Sequence, residues 1–303
     1  MFIADMHCDS LTALSGQRGL LNDYNTSKEH PFLQFFASYT PFQGRSAAER
    51  RSITTSHVNA YLYETERLGL SRITSVRELT AAEDADVCSA MFTIEGGGGL
   101  LADSEELFTL HKLGLRVMGL VWDTNELGCG AYDSEDSGLT SEGIRMLHRL
   151  SELGITPDVS HMSDNSFFDL CEVFPLPFIA THSNFRTICN SKRNLTDDMA
   201  KELTARGGII GINLFPAFLT EDGDASIHDL LRHIDYGLEK FGEGAIAFGF
   251  DIDGTGGKYP KGIGENCSIH DAITNELLRL YSASTVSNIA GGNVINFLKG
   301  ILD

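Results

Sequence analysis

The sequence predicts an α/β protein whose eight strand–helix units close into a (β/α)₈ barrel of the TIM type. Two observations carry this. Eight short apolar runs each read as a β-strand, at 2–6, 32–38, 90–94, 115–121, 155–159, 177–181, 208–214 and 245–250. Stretches of helical character lie between them, clearest at 47–68, 104–113, 141–153, 164–173, 196–205 and 227–241. Such alternation demands parallel strands joined by crossover helices, and eight units close a ring. Several runs are nearly continuous in apolar residues, as strands covered on both faces should be. Asn194-Leu195-Thr196-Asp197-Asp198 supplies an N-cap and early acids for one helix. Gly154, Gly207 and Gly242 stand where helices should stop. A doubly wound sheet usually follows its first strand with a glycine-rich phosphate loop. Here the first run leads into His7-Cys8-Asp9. Candidate site residues run from position 7 to 251, so a division into two domains would split the site. One catalytic domain over 1–303 is expected.

The chain has 303 residues, 42% hydrophobic and 21% charged, which is enough for one well-buried core without disulfides or structural metals. A formal net charge of −19 repels nucleic acid and other polyanions. Cysteines at 8, 88, 129, 171, 189 and 267 form no CxxC pair, which points to reduced thiols rather than a thiolate zinc site. The N-terminus MFIADMHCDS has no basic leader, and the longest apolar stretch, around 207–219, falls short of the ~20 residues a membrane span needs. A soluble, cytoplasmic protein without a membrane partner is expected.

Five residues that ligate metals well follow the apolar runs: His7, Asp9, Glu95, His161 and His182. At the carboxyl ends of barrel strands they converge on one end of the sheet, and His, Asp and Glu are the types that hold two divalent cations around a shared water. His7 and Asp9, two apart, share a face, and Cys8 points away. Glu95 has two oxygens to bridge with, and Gly96–Gly99 after it allow close backbone approach. No GKS or GKT follows, which argues against a phosphate cradle. His161 and His182 belong to consecutive units. Asp251 closes the last run and can accept a proton from water and return it to a leaving amine. Asp253 reads as a turn acid before Gly254. Arg193 is either a bidentate partner for a substrate carboxylate or a surface arginine near a helix start. His30, His57, His111, His148, His228, His233 and His270 read as structural.

Taken in order, Asp5-Met6-His7-Cys8-Asp9, Gln34-Phe35-Phe36-Ala37, Ile94-Glu95-Gly96-Gly97, Asp158-Val159-Ser160-His161, Thr181-His182-Ser183, Asn190-Ser191-Lys192-Arg193-Asn194-Leu195, Gly249-Phe250-Asp251-Ile252-Asp253-Gly254 and Gly292-Asn293 resemble the renal (membrane) dipeptidase family of zinc peptidases, peptidase family M19. The resemblance implies a barrel with two zinc ions (Zn2+), one held by His7 and Asp9, the other by His161 and His182, with Glu95 bridging. It implies Asp251 as catalytic acid/base and Arg193 as a partner of the substrate carboxylate; Asn293, in a matching piece, and Trp122, at the place of a substrate contact, are the other substrate-binding candidates. Two departures stand out. Trp122, in Met118-Gly119-Leu120-Val121-Trp122-Asp123, occupies the place of a histidine common in the family, as a pocket wall or a core residue. No lipid-anchor tail is expected either; a homodimer is compatible with the resemblance, but the anchored dimer of the animal enzymes does not carry over.

The expected reaction is hydrolysis of the peptide bond of a small dipeptide by a hydroxide between two zinc ions, with Asp251 shuttling the proton. Manganese, iron or cobalt would also suit the ligands. The rival expectations are a hydrolase of the same fold acting on a lactone, a β-lactam, a phosphoester or another amide, and a metal-loaded binding protein without catalysis.

Overall fold

The computed structural model describes residues 1–13, 31–41, 43–85, 87–263 and 268–303. His30 and Cys267 lie outside these. The strands are β1 (Ile3–Cys8), β2 (Phe32–Tyr39), β3 (Ser71–Arg72), β4 (Ser89–Glu95), β5 (Val117–Gly119), β6 (Thr156–Asp158), β7 (Ile210–Ile212) and β8 (Ile246–Phe248). They pair in parallel in the order β6-β5-β4-β2-β1-β8-β7. The ring closes through residues 177–181. The Val159 amide donates to Ile179 O and the Ile179 amide to Pro157 O on one side; Ala180 exchanges amide bonds with Ile209 and Gly211 on the other. The eight runs read from the sequence are therefore the eight staves of a (β/α)₈ barrel. The two-residue β3, which no apolar run announces, is additional and pairs with the start of β4.

Helices coat the ring. Those at Ala47–Leu68, Ser141–Leu153, Asp164–Val173 and Ile227–Phe241 have the expected bounds. Ser46, Ser104, Thr140, Ser163 and Thr196 each accept an amide bond from the first turn of their helix, satisfying a donor that would otherwise be unpaired. Gly154 ends its helix in the left-handed conformation, φ 66°. None of the described helices is long and apolar enough to cross a membrane.

Two features position the site. First, the barrel interior is apolar at its amino end: Ala4, Met6, Leu33, Phe35, Met91, Val117, Ile179 and Ala247 form one buried cluster with Val294, Ile295, Phe297 and Leu298 of the helix Asn293–Ile301. That helix stoppers the barrel floor. Second, β1 is bulged. Asp5 pairs with Gln34 and Cys8 with Phe36, so Met6 and His7 together oppose Phe35 alone. Both consecutive side chains thus face inward, Met6 into the floor and His7 above it, while Cys8 joins the outer cluster. The His7 amide is taken up by Asp5 Oδ1 at 3.1 Å, and the same oxygen accepts the Phe250 amide at 3.0 Å, tying β1 to the turn after β8.

Candidate metal centre

The barrel's carboxyl end gathers all five expected ligands. Within 4.8 Å of one another lie ligand atoms of His7, Asp9 and Glu95, of Glu95, His161 and His182, and of His7, His182 and Asp251. Glu95 ends β4 and sits at the centre: its Oε1 is 2.7 Å from His161 Nε2, 3.3 Å from His182 Nε2 and 3.6 Å from His7 Nε2. His7 Nε2 lies 3.4 Å from Asp9 Oδ2. All five side chains are buried. His161 and Asp251 reach inward from left-handed backbone, φ 74° and 59°, a conformation unfavourable for any side-chain-bearing residue. The His161 carbonyl is held by the Ala131 amide at 2.8 Å, and the Asp251 carbonyl by the Gly254 amide at 3.1 Å.

The charge balance identifies what the centre accepts. Three carboxylates and three imidazoles crowd together out of water. Burial opposes charge on His7, but Glu95, Asp9 and Asp251 outweigh it and lift its pKa to about 10. Burial, reinforced by Asp9, pushes Glu95 well above the usual carboxylate range. Burial raises Asp251 to about 7 against the pull of His7. Burial, with Arg193 and His7 adding to it, drives His161 and His182 well below the usual imidazole range. Yet the Nε2 atoms of these two histidines face each other at 2.9 Å. At that distance either one ring donates an N–H to the other or a cation lies between or beside them. His7 Nε2 and Asp9 Oδ1 are buried with no hydrogen-bond partner among the described residues. Nitrogen and carboxylate donors of this kind suit zinc or another divalent transition metal, so the residues fit a metal centre.

A cavity of about 490 Å³ opens above the centre, a size suited to a small ligand. Tyr39, Trp122, Tyr132 and Phe218 line it, with His161 and Arg193 at its base. Trp122 is partly exposed and packs 5.0 Å from Tyr39 and 5.6 Å from His161, so it is a wall of the mouth and not a core residue. Arg193 is 4% exposed; its Nε has no partner among the described residues, and Nη2 makes a long contact, 3.4 Å, with His182 O. Asn213, missed from the sequence although it too follows a strand, donates to Asp251 Oδ2 at 3.0 Å. Asp253 accepts from Ser10 at 2.7 Å and stays off the centre.

Asn293 is corrected. Its amide donates to Glu243 O and Ile246 O, at the amino end of β8, whereas Asp251 follows the carboxyl end. It fastens the floor helix and does not line the mouth.

The model of the membrane dipeptidase family, peptidase family M19, matches residues 3–302. The chain belongs to this family. It is an enzyme of a metallopeptidase family, and the ligand groups described above are the candidates for a metal. A Klebsiella pneumoniae protein encoded in the pqqA 5′ region is 29% identical over 75% of this chain and 87% of its own length. Human dipeptidase 3 is 27% identical over 77% of this chain; the chain spans about half of that relative, 48%. Among solved structures, a metallo peptidase from Rhodobacter sphaeroides liganded with a phosphinate mimic of the dipeptide L-Ala-D-Ala superposes with a TM-score of 0.89, 24% identity and 99% coverage of both chains. At that identity the likeness speaks for the fold of this membrane dipeptidase family member.

Proposed function

We propose that this chain hydrolyses the peptide bond of small dipeptides with two zinc ions per chain. One observation carries the reading: two buried ligand groups, His7–Asp9–Glu95 and Glu95–His161–His182, share a single carboxylate at the base of a small cavity. His7 and Asp9 would hold one ion, His161 and His182 the other, with Glu95 between them. When bound, such ions bring the ionisation of a water near neutrality and offset charge on a carbonyl oxygen.

The remaining steps fall to the chain's own groups. Asp251 has Oδ2 anchored by Asn213, which leaves Oδ1 to take a proton from the attacking water and return it to the departing nitrogen. A pKa raised by burial to about 7 suits a group that must do both near neutral pH. The buried, under-partnered Arg193 guanidinium holds the substrate's terminal carboxylate. The aromatic walls exclude water and admit only a short substrate. The partly exposed Trp122 is compatible with this, since it lines the mouth beside Tyr39 and His161.

The test is zinc analysis of the purified protein together with a dipeptide panel, including members with a D-residue at the carboxyl end, before and after chelation. Two zinc ions per chain and dipeptide cleavage that chelation abolishes and zinc restores are expected. Cleavage confined to esters or lactones would favour the rival hydrolase, and tight ligand binding without product would favour a binding protein.

A further inference from the structure

Two buried side chains beside the centre take no part in that chemistry. Asp158 ends β6, and Thr181 ends the neighbouring stave at 177–181; both are at most 3% exposed. The Asp158 carboxylate is fully engaged. Its Oδ1 accepts the amides of Ser160 and Thr181, each at 2.9 Å, and its Oδ2 accepts the Thr181 hydroxyl. A hydroxyl has one proton. With that proton committed to Asp158, Thr181 Oγ1 offers only lone pairs to its other neighbours. Those neighbours are His182 Nδ1 at 2.8 Å and His7 Nδ1 at 3.5 Å. Each ring satisfies this oxygen by carrying a proton on Nδ1, which leaves Nε2 turned to the centre as the atom available to a cation. The two rings also stack, centroids 3.7 Å apart and 30° between planes, so a tilt of one is transmitted to the other.

We propose that Thr181, oriented by Asp158, is a positioning residue that fixes the tautomer and tilt of both His7 and His182, and thereby links the two cation positions. This rests on the reading that the centre holds two cations. In that reading His7 and His182 would hold different cations, although their ligand atoms also meet in a group with Asp251; Glu95 joins them from one side and this hydroxyl from the other. Groups that orient a metal-binding imidazole from behind are worth about 10–100-fold in metal affinity.

The experiment titrates metal-free protein with zinc against a chromophoric chelator and resolves both binding steps. Thr181→Val keeps the shape and removes the hydroxyl; it is expected to weaken both steps about 10–100-fold. Thr181→Ser keeps the hydroxyl and is expected to bind as the wild type does. Melting of the metal-free variants provides a separate readout, because a merely structural threonine would lower the melting temperature without moving zinc affinity. Should the valine chain fail to fold, Thr181→Ala removes the hydroxyl without introducing a new methyl position. Wild-type affinity at either step in the valine or alanine variant overturns the shared role. So does a serine variant as weak as the valine one, since that would assign the effect to packing. A wild-type chain that binds fewer than two zinc ions overturns the two-cation reading and this proposal with it; failure of the proposal alone leaves the wild type with two.

Discussion

Gly254 offers the sharpest test of the centre, because the barrel can survive its substitution while the site cannot. Its φ lies outside the left-handed region, so alanine suits the backbone. A Cβ there would fall 2.0 Å from Asp251 Oδ1 and 2.2 Å from Asp9 Oδ2. Both atoms end short side chains and can rotate away, so the collision is relieved at the site and not in the fold. Ordinary contact requires each carboxylate oxygen to retreat by about an ångström, several times the roughly 0.2 Å tolerance of a metal–ligand distance. A misplacement of that size costs about 100-fold in rate, or about 2.7 kcal/mol of transition-state stabilisation. Gly254→Ala is therefore expected to lose about two orders of magnitude in kcat/KM on a dipeptide, together with bound zinc, while the metal-free melting temperature stays near that of the wild type. Gly249→Ala supplies the contrast. Its Cβ would meet Thr181 O, a backbone atom, at 1.8 Å, and about 3 kcal/mol of stability should be lost. A Gly254→Ala enzyme with full zinc and full kcat/KM refutes the placement of Asp9 and Asp251 around one centre.

Asp251→Asn preserves the left-handed backbone, which asparagine tolerates, and the Asn213 contact; kcat should drop about 10²- to 10⁴-fold with zinc content unchanged, and undiminished turnover would end its role as proton carrier. Arg193→Met should raise KM for dipeptides about 10- to 100-fold while leaving C-terminally amidated analogues equally poor in both enzymes; an unchanged KM would remove Arg193 from carboxylate binding. The last prediction concerns pH. His233 is buried with Nδ1 accepting the Phe185 amide and Nε2 donating to Leu219 O, and burial lowers its pKa to about 4. Below about 6.5 the unfolded chain takes up a proton that the folded chain refuses, so stability falls between pH 6.5 and about 4 and levels off beneath, by at most about 3 kcal/mol. Denaturant melts of metal-free wild type and His233→Gln across that range should differ in slope, and parallel curves would disprove the assignment.

The staves were legible because burial on both faces writes itself as apolar runs. The residues gathered at the centre were legible because each stands just past such a run, at the carboxyl end of a stave. Asn213 and Asp158, which support Asp251 and Thr181, lie inside the apolar runs at 208–214 and 155–159 and stand at strand ends only in the structure, so that signal passed over them. Other features leave no local trace. Nothing in Ile3–Cys8 announces that Met6 and His7 both face inward, because a bulge is a property of two paired strands. Simple alternation grouped His7 with Asp9 correctly, but it would have turned Met6 outward. The left-handed turns at His161 and Asp251 are set by the bonds their carbonyls accept from Ala131 and Gly254, one of them distant in sequence. Asn293 illustrates the opposite error. A motif names a residue but not the end of the barrel to which its chain delivers it, and the apolar helix Asn293–Ile301 delivers this one to the floor.

The two-residue step in β1 also governs traffic. Because Met6 caps an oily plug directly beneath His7, the border between hydrocarbon and coordinating groups is one residue thick, and nothing ionic can arrive from below. In the proposed reading zinc and substrate would share the doorway that the described residues form past Trp122 and Arg193. A dipeptide analogue lodged there would act as a cork, slowing the rate at which a chelator strips the enzyme far more than any gain in equilibrium affinity would explain.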